Sequence, residues 1–225
     1  MAHYVLRDDI SYCRIGERFV FLDIDSDRYF HLPGPLEQAL MAHLDGAGCS
    51  SSQLDQLIER DILVHATGAA SANRPSIRPV ARSAMETASQ PQRFRLSERL
   101  EVFAAVLVAR IALKFSTLKK ILEGLKAARR VRTTSGTRRE DFPERQILDA
   151  SAAFRRARLY VPIDMRCLLD SLAMTRFLLR RGIPAHIVFG VALDPFSAHC
   201  WVQVDDLVLN DSVGNVASHT PIRIV

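Results

Sequence analysis

Thirty residues in the middle of the chain read as a linker. Positions 66–95 read ATGAASANRPSIRPVARSAMETASQPQRFR, low in large apolar side chains and rich in Ala, Ser, Pro and Arg. Such a segment buries too little apolar surface to offset the entropy of ordering it. The remainder of the 225 residues, in a chain that is 48% apolar overall, has material for a core on each side of the break. The expectation is an α+β protein with an N-terminal module at 1–66, a linker at 67–95 and a C-terminal domain at 96–225, helical over 96–160 and with its compact part at 161–225.

In the first module, ISYCRI, RFVFLDI and RYFHL are separated by Gly16-Glu17 and by Asp25-Ser26-Asp27. Short β-rich runs divided by turn residues predict a three-stranded meander. After Pro33-Gly34-Pro35, Leu36, Leu40 and Leu44 recur at helical spacing until Gly46, and Ser50-Ser51-Ser52 offers N-cap oxygens to a helix through Leu54, Leu57 and Ile58. ILVHA forms a last short extended piece.

Ser97 is expected to cap a helix with Leu100, Phe103, Ala104, Leu107, Val108 and Ile111 on one face, broken at Ser116-Thr117 and ending near Val131. The basic loop VRTTSGTRRE and a helix from about Pro143 to Leu159 follow. A further helix begins near Asp164 and stops at Gly182 before Pro184, and the strands HIVFGVAL, HCWVQV and LVLND come after it.

Cys13, Cys49, Cys167 and Cys200 have no CxxC spacing, which argues against a disulfide framework or a zinc knuckle. Each is by default a small buried hydrophobe. The start of the chain has no basic n-region or apolar h-region, and the run near 100–115 is interrupted by Arg110 and Lys114. A cytoplasmic protein without a membrane span is expected. Net charge is −6 over 1–66, +12 over 67–160 and −1 over 161–225. The basic section, with ARRVRTTSGTRRE, raises a nucleic-acid-binding alternative, but it lacks interleaved aromatics for base stacking, so no nucleic-acid partner is expected.

Chemistry is concentrated in the last third. Cys167 falls in the first turn of its helix, where free N–H groups and the macrodipole favour a thiolate. His199 opens a strand on which Trp201 and Gln203 share its face, while Cys200 points the other way and is read as core. The hairpin loop decides which acid reaches the imidazole. An odd loop centred on Asp205 sets position 199 opposite Asp211; the two-residue loop Asp205-Asp206 sets it opposite Ser212 and turns Asp211 away. The odd loop or a bulge is expected, since that register assembles nucleophile, base and orienter. Asn210 is the alternative third member, after a further shift.

The stretch RCLLDSLAMTRFLLRRGIPAHIVFGVALDPFSAHCWVQVDDLVLND resembles the transglutaminase-like cysteine peptidases of lasso-peptide biosynthesis, which remove the leader from a ribosomally made precursor. Cys167, His199 and Asp211 match the family's order and spacing; the family often has alanine where Cys200 stands. The resemblance implies a transglutaminase/papain-like fold, a Cys-His-Asp triad, leader cleavage before macrolactam formation and a partner cyclase resembling asparagine synthetase. The N-terminal module is similar to the PqqD-like peptide-recognition domain. That similarity implies that a leader adds a strand at RYFHL (Arg28, Tyr29, Phe30, His31, Leu32) and lies against Leu54, Leu57 and Ile58. No glycine-rich phosphate loop is present, so an ATP-independent enzyme without cofactor or metal is expected. A non-catalytic peptide carrier is the remaining alternative.

Overall fold

The computed structural model describes residues 4–66, 77–87, 96–134 and 143–225. The chain divides into two compact units, Met1–Ser76 and Ile77–Val225.

Turn chemistry shapes the first unit. Gly16 takes φ 59°, which a residue without Cβ adopts freely, and the two-residue turn sets Ile15 of β2 (Ile10–Ile15) opposite Arg18 of β3 (Arg18–Asp23). β4 (Arg28–Phe30) returns antiparallel on β3 and forms one edge of the three-stranded sheet. The Asp23 carboxylate holds that second turn, accepting from Asp25 N at 3.0 Å, Ser26 Oγ at 2.9 Å and Arg7 at 2.6 Å. The helices α1 (Gly34–Leu44) and α2 (Ser51–Glu59) follow, the second capped by Ser50 Oγ, which accepts from Gln53 N. β5 (Leu63–His65) pairs antiparallel with β1 (Tyr4–Leu6).

Phe21, Leu36, Leu40, Leu57 and Leu63 form the core of this unit. The expectation that Leu32 and Leu57 face a bound peptide is corrected here: they are 8% and 0% exposed and belong to that core. Arg28 and His31 are exposed; Tyr29, Phe30, Leu54 and Ile58 are half-buried.

The second unit is a five-stranded sheet, in the order β10-β7-β8-β9-β6, with helices packed on it. Its strands are β6 (Arg82–Ser83), β7 (His186–Ala192), β8 (Ser197–Val204), β9 (Leu207–Val208) and β10 (Thr220–Ile224). Between them run α3 (Leu96–Phe115), α4 (Leu118–Thr134), α5 (Glu144–Arg158), α6 (Cys167–Arg180) and the short α7 (Val213–Ala217). α6 packs on β8, and α3 and α5 pack on α6. On one face of the sheet Val188, Trp201, Val208 and Val216 form a cluster.

Two expectations fail in this unit. Residues 77–87, read as linker, are built into it: Arg82 and Ser83 pair in parallel with Leu207 and Val208 at the sheet edge. The rest of that stretch, 67–76 and 88–95, lies outside the described residues, as does the basic loop beyond Thr134. The second failure concerns α3, which buries Val102, Ala105, Val106 and Ala109 and leaves Leu100, Phe103 and Ile111 exposed at 63, 41 and 49%. Two apolar stripes run along this helix, and the one rich in small residues lets neighbouring helices come close. Periodicity alone favours the bulkier stripe.

Candidate active site

Cys167 is the first residue of α6, later than the sequence suggested, with Arg166 extended before it at φ −138°, ψ 135°. The approach to that helix is held from within by Arg158, which is 4% exposed. Its guanidinium donates to the carbonyls of Val161 at 3.3 Å, Ile163 at 2.9 Å and Asp164 at 3.1 Å, and to Asp170 Oδ1 at 2.5 Å. Asp170 Oδ2 in turn accepts from Arg166 N at 3.2 Å. One buried fork therefore ties the loop to the helix that presents the sulfur.

His199 stands on β8 opposite Gly190 of β7. Its ring lies between Trp201, 6.2 Å away and nearly parallel at 25°, and His219, 5.3 Å away. Nε2 is hydrogen-bonded to Asp211 Oδ2. The same oxygen accepts from Asn215 Nδ2 at 2.8 Å, and Oδ1 accepts from Ser212 N at 2.7 Å.

The route by which Asp211 reaches the ring corrects the register expectation. Val204 pairs with Leu207, so the loop is the two-residue Asp205-Asp206, with Asp205 at φ 54°. Leu209 still follows that register, its N–H donating to Val202 O at 2.8 Å. The ladder then stops, because the side chain of Asn210 takes the next place and accepts from Val202 N at 2.7 Å. The chain bends there, and Asp211 arrives at the imidazole from a turn instead of a strand. Ser83 Oγ holds that turn from behind, donating to Asp211 O at 2.5 Å.

Cys167 is exposed, and its thiol is coupled electrostatically to the His199 ring and to the thiol and backbone of Cys200. Cys200 foremost, then His199, bring the Cys167 thiol down to about 4, with burial opposing. The influence of that sulfur raises His199 above its ordinary value, helped by Asp211 and again opposed by burial. The two shifts agree in favouring a thiolate facing an imidazolium. With Nε2 committed to Asp211, Nδ1 is the nitrogen available to exchange a proton with sulfur. Among the described residues, no group of three or more His, Cys, Asp or Glu side chains converges as a metal site.

A family model for the transglutaminase-like superfamily matches residues 105–224. The chain belongs to that superfamily. It is also 48% identical over 46 residues to the microcin J25-processing protein McjB of Escherichia coli, a match covering 20% of this chain and 22% of that protein. The chain thus aligns with about a fifth of this curated relative's length. No solved structure matches.

The structure brings together Cys167, His199 and Asp211 and adds neighbours to this transglutaminase-like site that the sequence did not single out. Cys200 does point away from Trp201, but the face it points to is covered by α6, and its sulfur lies 3.8 Å from Ser171 Oγ, one turn beyond Cys167. The core reading holds: Cys200 is 3% exposed. A cysteine next to the strand histidine was the available signal. Asn215, His219, Ser83 and Arg158 have no motif around them, since each acts through a contact made across long separations or a turn without regular pattern.

Proposed function

We propose that the chain is a cysteine peptidase that removes the leader from a lasso-peptide precursor before macrolactam closure. The observation that carries this reading is the His199 ring, bonded to the Asp211 carboxylate and coupled electrostatically to the Cys167 thiol. Similarity to a microcin-processing protein points the chemistry toward a ribosomally made peptide.

The Cys167 thiolate attacks the carbonyl at the leader–core junction. The Cys167 backbone N–H, at the start of α6, supplies one donor to the oxyanion. The His199 imidazolium protonates the departing core amine and, now neutral, draws a proton from the water that hydrolyses the thioester. Asp211 keeps the ring oriented and balances its charge in the ion-paired state.

In this reading the N-terminal unit is a PqqD-like leader-binding module. β4, an edge strand of the three-stranded sheet, is where an extended peptide would add a further strand, and the exposed Arg28 and His31 with half-buried Tyr29, Phe30, Leu54 and Ile58 supply the side-chain contacts. The released core passes to an asparagine-synthetase-like cyclase. Precursor incubated with the wild-type chain without nucleotide yields free leader and core by mass spectrometry, whereas Cys167→Ala yields neither. Equal cleavage by both would refute the peptidase reading, and an amine adduct of the precursor would replace hydrolysis by amide transfer.

A further inference from the structure

We infer that Cys200 is a resolving cysteine for Cys167, so that a peroxide converts the pair reversibly into an intramolecular disulfide. This rests on the reading of Cys167 as the reactive thiol, and not on which peptide it cuts.

Placement comes first. Cys167 and Ser171 are one turn apart on α6, a spacing that puts their Cβ atoms about 5–6 Å from one another on one helix face. Ser171 Oγ touches Cys200 twice, donating to its carbonyl at 3.2 Å and lying 3.8 Å from its sulfur. Asn210 Nδ2 fixes the serine from the other side, donating to Oγ at 3.0 Å. Cys200 is thereby held under the first turn of α6, on the helix face that Cys167 shares with Ser171, close enough for the two thiols to influence each other's charge. The remaining cysteines, Cys13 and Cys49, belong to the other unit.

Reactivity is divided between the two sulfurs in the way a resolving pair needs. Cys167 is exposed and ionised, hence open to a peroxide; Cys200 is 3% exposed and protonated, hence protected from it. The Cys167 thiolate attacks one peroxide oxygen, the O–O bond breaks, and hydroxide leaves as water with a proton from solvent. Cys167 is then a neutral sulfenic acid. Before oxidation the neighbouring Cys167 thiolate is the foremost cause holding the Cys200 thiol up, ahead of burial, and conversion to the neutral sulfenic acid removes that charge. Cys200 sulfur attacks the sulfenic sulfur, the S–O bond breaks, and hydroxide leaves as a second water with the Cys200 proton. Two thiols and one peroxide give one disulfide and two waters. Further oxidation of Cys167 to sulfinic acid is thereby forestalled.

The test reads sulfur and not cleavage, so it stands whether or not the chain cuts a precursor. The reduced full-length protein is treated with one equivalent of hydrogen peroxide, blocked with iodoacetamide and digested with trypsin, which releases one peptide beginning at Cys167 and another beginning at Gly182. Wild type is expected to give these two peptides linked, and dithiothreitol to free both. In Cys200→Ala, and in Cys200→Ser as a variant retaining a donor, the link is lost and Cys167 sulfinic acid rises on the order of tenfold. The absence of the linked pair in wild type, or equal sulfinic acid in wild type and in a folded Cys200 variant, would overturn the proposal. Should neither variant fold, the wild-type peptide map decides alone. Loss of precursor cleavage with the link intact would sink the peptidase reading and leave this one standing.

Discussion

Gly190 and Trp201 are fitted so closely that a Cβ on the glycine would lie 2.6 Å and 2.8 Å from two indole carbons and 3.0 Å from His219 Cβ. The indole is 1% exposed and stacks on the His199 ring, so it cannot yield without moving the imidazole or the cluster around Val188 and Val208. Gly190→Ala is therefore expected to cost about 1–3 kcal/mol through overpacking. Thermal melts should show a drop of about 2–4 °C for each kcal/mol lost. Cleavage should fall with it, because the displaced ring carries the proton. An unchanged melting temperature and unchanged activity would show that Trp201 has room to move.

A thiolate that forms near pH 4 remains a nucleophile in mild acid. A lowered thiol pKa keeps the charged form above that value and loses it only below; a raised imidazole keeps its proton past the ordinary 6.5 and loses it only above. Alkylation of Cys167 by iodoacetamide should accordingly be nearly as fast at pH 5 as at pH 7. Precursor cleavage should decline as the pH rises past the raised value of His199, as the acid for the leaving amine disappears. In His199→Ala the thiol loses its second largest stabilising contact and moves upward. Once the thiol pKa lies above 5, each further unit of rise removes roughly eight- to nine-tenths of the thiolate remaining at pH 5. Equal acid limbs in wild type and variant would show that the histidine does not hold the thiolate.

Sequence patterns resolved what local rules govern and missed what distant pairings govern. The meander was legible because Gly16 and the aspartates after Asp23 dictate turns between alternating strands, and the break at Ser116-Thr117 separates α3 from α4. β6 was not legible: two residues, Arg82 and Ser83, become a strand by pairing with residues about 125 positions on. The approach of Asp211 was misread because register was carried past Leu209, whereas the Asn210 side chain ends the ladder there. Cys200 was read from strand alternation alone, and alternation does not say that the helix covering its face begins with a second thiol.

Ser83 makes that illegible strand part of the site. It is 1% exposed; its Oγ donates to Asp211 O and accepts from Met85 N at 2.9 Å. Ser83→Ala strands the carbonyl of the turn that delivers the carboxylate, at a cost of about 1–3 kcal/mol. A lower melting temperature should accompany a fall in kcat with KM little changed, measured on the folded fraction at a temperature well below the transition. A variant destabilised as expected but with kcat intact would confine Ser83 to structure.

Asn215 tests the other side of the same carboxylate. Its Nδ2 donates to Asp211 Oδ2 at 2.8 Å and lies 3.4 Å from His199 Nε2, and its own position is set by Ser212, whose Oγ caps α7 by accepting from Asn215 N at 3.2 Å. Removing the amide leaves Asp211 with His199 and the Ser212 N–H but frees it to swing about the latter. A hydrogen bond to a charged group contributes about 1.5–3 kcal/mol, so Asn215→Ala should lower kcat by about tenfold or more, with KM and melting temperature nearly unchanged because the residue is exposed. Asn215→Asp is the sharper probe. A second carboxylate beside Asp211 repels it while favouring the imidazolium, so the loss at pH 7 should exceed that of the alanine variant and shrink as the pH is lowered and the pair takes up a proton. Full kcat in Asn215→Ala would mean that His199 and Ser212 suffice to hold the acid in place.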